Sequence, residues 1–84
     1  MESTQILEKL TAIIRDALDD QDLKLTLETS AANVPAWDSL AHINIVVSTE
    51  MAFGIKFKTA ELEQLRNVGE FVSLIKQKLN VKQG

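Results

Sequence analysis

Aliphatic residues recur at three- and four-residue spacing along this chain of 84 residues, which contains no cysteine. The first such stretch runs from about Thr4 to Leu18, with apolar positions Ile6, Leu7, Leu10, Ile13, Ile14 and Leu18. This is the period of an α-helix with one buried face. Because a short chain buries only a modest core, helices tied by nearby contacts are the simplest stable solution. We expect one domain, residues 1–84, with its core at about 4–79 and a flexible tail at 80–84.

Local signals set the ends of this first helix. Ser3 or Thr4 is suited to cap its start, since a side-chain oxygen there accepts a backbone N–H. An acidic patch lies around its C-terminal end, made up of Asp16, Asp19, Asp20 and Asp22. Carboxylates are unfavourable at the negative end of the helix dipole, so we expect the helix to end near Leu18 or Asp19.

The next stretch, from Asp20 to Trp37, has no sustained helical period and contains Pro35. We interpret it as a long ordered loop, which is uncommon in a small domain and is often functional. Four apolar residues should fix the loop to the core: Leu23, Leu25, Leu27 and Val34.

A second helix should begin at Asp38 or Ser39, with Asp38 as its N-cap. Its apolar positions are Leu40, Ile43, Val46, Val47 and Met51. Gly54 is a natural stop, because glycine adopts positive φ at no Cβ cost.

The remaining chain predicts two more helices after a short connection. Residues 54–59 alternate apolar and charged side chains, and we interpret them as an extended connector with Ile55 and Phe57 pointing inward. Thr59 should cap a short third helix at about 60–65. Asn67 and Glu70 resemble a capping box that opens a fourth helix, whose apolar positions are Val68, Phe71, Val72, Ile75 and Leu79. The fold class is therefore all-α: a small antiparallel bundle of three longer helices and one short third helix, with a long first loop.

Charge and composition argue against several classes of protein. The formal net charge is −3 and no basic patch is visible, so nucleic-acid binding is not expected. No apolar run approaches the length of a membrane span, and residues 1–4 do not resemble a signal peptide. The absence of cysteine fits a reducing cytoplasm, where we expect a monomer.

The sequence also shows no catalytic or metal-binding constellation. His42 is the only histidine, and a surface position or a partner contact is the better interpretation of it. The acidic group at 19–22 lacks the glycine and terminal glutamate of an EF-hand loop, so we interpret it as a solvated loop. We therefore expect neither an enzyme nor a resident metal.

The residues Trp37-Asp38-Ser39-Leu40 follow the long loop at the start of the second helix. This motif resembles the Asp-Ser-Leu motif of the acyl carrier protein family. The stretches at 53–57, 59–62 and 67–72 are also similar to that family, so the resemblance covers roughly residues 6–79. By itself, an Asp-Ser pair before an apolar helix is an ordinary capping arrangement.

The resemblance implies that Ser39 receives 4′-phosphopantetheine from coenzyme A through a phosphopantetheinyl transferase. The arm would then carry acyl or related groups as thioesters between acyl-loading and acyl-processing enzymes, as in fatty acid or polyketide biosynthesis. It also implies that Leu40 lies beside the arm and contacts the transferase, although Leu40 could equally be a core residue. Asp38 and Ile43 are further recognition candidates. Trp37 is a further recognition candidate, although packing that fixes the entry of the chain into the helix is the better interpretation of it.

The second helix departs from that family in its charge. Many members have an acidic second helix, whereas in the second helix of this chain Glu50 is the only acidic residue after Asp38. We therefore expect weak electrostatic steering, with Ile45 partly exposed as an apolar contact. A specialised carrier, in secondary metabolism or polysaccharide assembly, would explain this. The alternative is an unmodified carrier-like interaction module. Ile43, Val46, Val47 and Ile75 either line an acyl cleft or pack in the core.

Overall fold

The computed structural model describes the backbone of residues 2–83 and the side chains of residues 2–80. The described backbone contains four α-helices: α1 (Ser3–Leu18), α2 (Ser39–Phe53), α3 (Thr59–Glu63) and α4 (Val68–Gln83). A single 3₁₀ turn, Ala31–Asn33, interrupts the loop between α1 and α2. α1 packs against both α2 and α4. The predicted all-α bundle with a short third helix is confirmed.

The core is mostly aliphatic, as the composition requires, with three aromatic side chains: Trp37, Phe53 and Phe71. α1 contributes Ile6, Leu10 and Ile14, all fully buried, and α4 contributes Val68, Phe71, Val72 and Ile75. Leu7, Ile13 and Leu18 are half-buried against this core. The predicted apolar face of α1 is therefore confirmed, because its period matches the face that packs on the two other long helices.

The first residues of α1 correct the predicted cap. Glu2 is the N-cap, and its backbone N–H donates to the side chain of Gln5 at 3.0 Å. Ser3 and Thr4 already lie inside the helix. The predicted end is confirmed at Leu18, followed by Asp19 in the left-handed conformation with φ 54°.

The long loop is fixed to the helices by its backbone as much as by apolar side chains. The Arg15 side chain donates to the Leu23 carbonyl oxygen at 2.6 Å. Leu23 and Leu25 are half-buried against the core and Val34 is buried, as predicted. Leu27 is 49% exposed, so the prediction that it enters the core is wrong. Its carbonyl oxygen makes the contact instead, by accepting the Gly69 N–H of α4 at 2.7 Å.

The connector between α2 and α3 contains neither helix nor strand, as predicted, and Lys58 at its end is extended. Ile55 is buried, and Phe57 packs edge-on against Phe71 with ring centroids 5.7 Å apart. The cap of α3 is Lys58 rather than Thr59, since the Lys58 N–H donates to the Glu61 carboxylate at 2.8 Å. The helix also ends at Glu63, two residues earlier than predicted.

α4 begins close to the predicted capping box but extends further than predicted. The Asn67 side chain accepts the Glu70 N–H at 2.9 Å, whereas the Glu70 carboxylate reaches back to the N–H of Arg66. Lys78 pairs with Glu61 at 2.8 Å and ties α4 to α3; this contact lowers the pKa of the Glu61 carboxyl. The helix continues to Gln83, into the predicted tail 80–84, whose last residue lies outside the described part.

Candidate functional site

The start of α2 is set by the side chain of Asp38. This residue is extended, with φ −89° and ψ −175°, and its carboxylate accepts the Ala41 N–H at 2.8 Å. Its carbonyl oxygen accepts the His42 N–H at 2.9 Å, which is the first backbone bond of the helix. Asp38 is therefore the predicted N-cap. Its part in recognition by another protein stays a prediction.

Ser39 is the first residue of α2, and its side chain is exposed. The N–H groups in the first turn of an α-helix have no partner within the helix, and Asp38 takes the one at Ala41. The Ser39 hydroxyl thus stands at the positive end of a fifteen-residue helix, open to solvent. Such a place suits an ester-linked phosphate.

Trp37 and His42 support the helix start from the inner side. The indole Nε1–H donates to His42 Nδ1 at 3.1 Å, and the two rings stack with centroids 6.1 Å apart. Trp37 is 8% exposed, which places it in the core and confirms the predicted packing at the helix entry. Its role in recognition stays a prediction.

His42 is half-buried against Trp37, so the interpretation of it as a surface residue was incomplete. Burial disfavours the charged imidazolium and lowers the pKa of His42 below its ordinary value. The hydrogen bond acts in the same direction, because Nδ1 must be unprotonated to accept it. Neither residue type nor spacing signals this pair in the sequence, since it depends on how the loop enters the helix.

The outward side of α2 carries a row of exposed apolar residues, here named the α2 stripe: Leu40, Ile43, Val47 and Met51. The opposite, buried side of α2 is formed by Ile45, Val46, Thr49 and Phe53. The expectation that Ile45 is partly exposed is wrong, because it faces the core and is fully buried. Of the residues considered for a cleft, Val46 and Ile75 are core, whereas Ile43 and Val47 face solvent.

A cavity of about 330 Å³ lies beside the Trp37–His42 pair. Its walls include loop residues 29–32, Leu65, Arg66 and Phe71. Within the described residues there is no group of three or more potential metal-ligating side chains, and no helix long and apolar enough to cross a bilayer.

No protein-family model matches the chain. Curated proteins do match over nearly the whole length. The chain is 33% identical to an acyl carrier protein of Thermotoga maritima over 75 residues, covering 89% of this chain and 93% of that one. It is 31% identical to an acyl carrier protein of Petrotoga mobilis over 81 residues, covering 96% and 95%.

A solved structure agrees with these relatives. The solution structure of a holo acyl carrier protein from Geobacter metallireducens matches with a TM-score of 0.86 and 47% sequence identity. The match covers 92% of this chain and 88% of that one. The sequence comparison and the structure comparison therefore find proteins of the same kind.

Proposed function

The chain belongs to the acyl carrier protein family, and we propose that Ser39 is where it bears the 4′-phosphopantetheine arm of an acyl carrier. When bound, the arm supplies a thiol that holds acyl groups as thioesters, which a chain without cysteine cannot supply itself. The single observation that supports the assignment is the exposed Ser39 hydroxyl at the N-terminus of α2.

The surroundings of Ser39 fit a phosphodiester. The open N–H groups and the dipole of α2 favour negative charge at this point. Asp38 is itself anionic, but its carboxylate is already bonded to the Ala41 N–H. Exposure allows a second protein to close over the serine, which a buried hydroxyl would prevent.

Attachment requires the Ser39 oxygen to attack the phosphorus of coenzyme A that bears pantetheine. One P–O bond forms to the serine, and the pyrophosphate P–O bond breaks to release the adenosine bisphosphate. The serine proton must leave with a base. His42 is not suited to take it, because Nδ1 accepts the Trp37 indole and Nε2 then carries the ring proton. The transferase is therefore the proposed source of the base.

The partners in this proposal are a phosphopantetheinyl transferase and the enzymes that load and process the acyl group. The relatives are named as carriers, which fits a protein without catalytic activity of its own. A cytoplasmic location and a monomeric state are part of the proposal. The location rests on the cysteine-free composition.

The test is co-expression with a broad-specificity phosphopantetheinyl transferase, followed by intact mass. Wild type should gain one phosphopantetheine, and Ser39→Ala should gain none. Ser48→Ala is the matched control, since Ser48 is also exposed on α2 and its loss should leave the mass gain unchanged.

A wild-type protein that stays unmodified with several transferases, while circular dichroism shows it folded, would contradict the assignment. The unmodified interaction module would then be the better description. Modification that persists in Ser39→Ala would leave the carrier function in place and move the attachment point elsewhere.

A further inference from the structure

The imidazole of His42 has one bonded nitrogen and one open nitrogen. Nδ1 accepts the Trp37 indole N–H at 3.1 Å, so the proton of the neutral ring is on Nε2. Among the described residues, the His42 side chain makes no other hydrogen bond. No fully buried side-chain nitrogen or oxygen in this part of the chain lacks a partner, so the unpaired Nε2 is accessible. His42 therefore presents a single N–H donor whose tautomer is set by Trp37.

This donor lies beside the attachment serine. Ser39 and His42 are three residues apart on α2, a spacing that makes them neighbours on the helix surface, with Cβ atoms about 5–6 Å apart. Ser39 is exposed, whereas His42 is half-buried and is part of the wall of the 330 Å³ cavity. A chain attached to Ser39 that turns towards this cavity therefore passes the His42 ring.

The cavity walls favour a neutral group with apolar parts. Ala31 and Ala32 contribute small apolar side chains, and Leu65 and Phe71 contribute larger ones. Among the described residues of the wall, Arg66 is the one ionisable group besides His42. The nearby Asp38 carboxylate is bonded to the Ala41 N–H.

The protonation state of His42 fits the same kind of group. Partial burial lowers the pKa of His42, so the ring is neutral at neutral pH and its Nε2–H donates without bringing a charge. A neutral donor at an apolar cavity suits a carbonyl oxygen, whereas a phosphate is better placed at the open N–H groups of the helix N-terminus.

We propose that His42 binds the pantetheine arm by donating its Nε2–H to an amide carbonyl oxygen of the arm, with Trp37 holding the imidazole in the required tautomer. The apolar cavity walls are suited to the two methyl groups that lie between the phosphate and the first amide of the arm. His42 acts in this way only on an arm carried by Ser39, so the inference rests on the proposed function and adds a residue that positions the arm.

The experiment compares wild type by NMR before and after modification with coenzyme A and a broad-specificity phosphopantetheinyl transferase. In the modified protein, the arm methyl protons should show nuclear Overhauser effects to the His42 ring and to Ala32. The pKa of His42 should fall further, because the arm excludes water from the ring. Ser39→Ala, treated in the same way, is the control, and its His42 signals should not change.

Two variants separate the hydrogen bond from simple packing. His42→Gln retains an acceptor for the indole and an N–H donor, whereas His42→Phe retains a ring without either. One hydrogen bond favours the bonded arm about two- to tenfold, so the Overhauser effects between the arm methyls and Ala32 should weaken by about that factor in His42→Phe and persist in His42→Gln.

The outcomes distinguish this inference from the function on which it rests. A modified wild type, confirmed by intact mass, whose His42 signals match those of the unmodified protein overturns the inference alone, and this result does not depend on how any variant folds. A rise in the pKa of His42 on modification also overturns it, because the ring would then lie against the phosphate. An unmodified wild type overturns both the inference and the assignment of Ser39.

Discussion

Substitution of Gly69 by alanine should destabilise the protein, which is the reverse of the usual effect in a helix. Gly69 is the second residue of α4, and its N–H donates to the Leu27 carbonyl oxygen at 2.7 Å. An added Cβ would stand 2.9 Å from that same oxygen and 3.3 Å from the Leu27 Cβ. Because the first of these neighbours is backbone, it cannot rotate away.

The magnitude follows from opposing contributions. Within a helix, Gly→Ala normally stabilises by about 1 kcal/mol. Here the loop must move, which weakens the bond to Leu27 and the neighbouring bond from the Val68 N–H to the Thr29 oxygen, 2.7 Å long. Each backbone bond contributes about 1 kcal/mol net, and overpacking costs about 1–3 kcal/mol. The expected net loss in the free energy of unfolding is about 1–3 kcal/mol.

Urea unfolding, followed by circular dichroism and by Trp37 fluorescence, measures this loss. Thermal unfolding should show the midpoint falling by about 4–8 °C for each kcal/mol in a domain of this size. Ser73→Ala is the control, since Ser73 is exposed on the same helix and alanine should be neutral or slightly stabilising there. A Gly69→Ala protein as stable as wild type would refute the reasoning, because the loop would then yield without cost.

Three further predictions concern the start of α2. Asp38→Ala should lower the free energy of unfolding by about 1 kcal/mol, and Asp38→Asn by less, because asparagine also caps; urea titration checks both. Trp37→Phe should cost about 0.5–1.5 kcal/mol for the lost bond to His42, again by urea titration. The pKa of His42 is lower in the folded than in the unfolded protein. The contribution of His42 to the free energy of unfolding is therefore complete above its ordinary pKa of about 6.5 and decreases as the pH falls below that value. Unfolding midpoints from about pH 7.5 to 5.5 should fall in wild type more than in His42→Gln; equal slopes would contradict this.

The sequence predicts the buried face of α1 and the ends of α2 well because local chemistry decides them. One apolar face is enough to orient α1, and Asp38 and Gly54 mark the ends of α2 by capping and by positive φ. The caps of α1 and α3 were mispredicted by one or two residues. In both helices the backbone N–H of the actual N-cap residue donates to a side chain three residues later: Glu2 to Gln5, and Lys58 to Glu61. Because several nearby residues could fill the N-cap position, the sequence does not fix it to a single residue.

The inward face of α2 could not be deduced from the sequence. Apolar residues occupy both sides of this helix, so periodicity does not say which side α1 covers. Ile43 and Ile45 are the same residue type two positions apart, yet one is 58% exposed and the other fully buried. Only the placement of α1 against α2 decides between them. The position of Ser39 at the start of α2 was predictable because the Asp38 cap is a local signal, whereas the surroundings of His42 depend on tertiary packing.

The backbone around Ser39 is held in place by hydrogen bonds, whereas the Ser39 side chain is exposed to solvent. Trp37 and His42 fix the inner side of the helix start, and the Asp38 cap fixes its backbone, so the serine is presented from a defined position. Neither of these hydrogen bonds involves the Ser39 hydroxyl, which is exposed. Loss of the Trp37–His42 bond should therefore weaken binding by an enzyme that modifies Ser39, and should leave the chemical step at the Ser39 oxygen unchanged. In modification kinetics, Trp37→Phe should then raise KM and leave kcat nearly unchanged, whereas a change in kcat alone would place the pair in the chemical step.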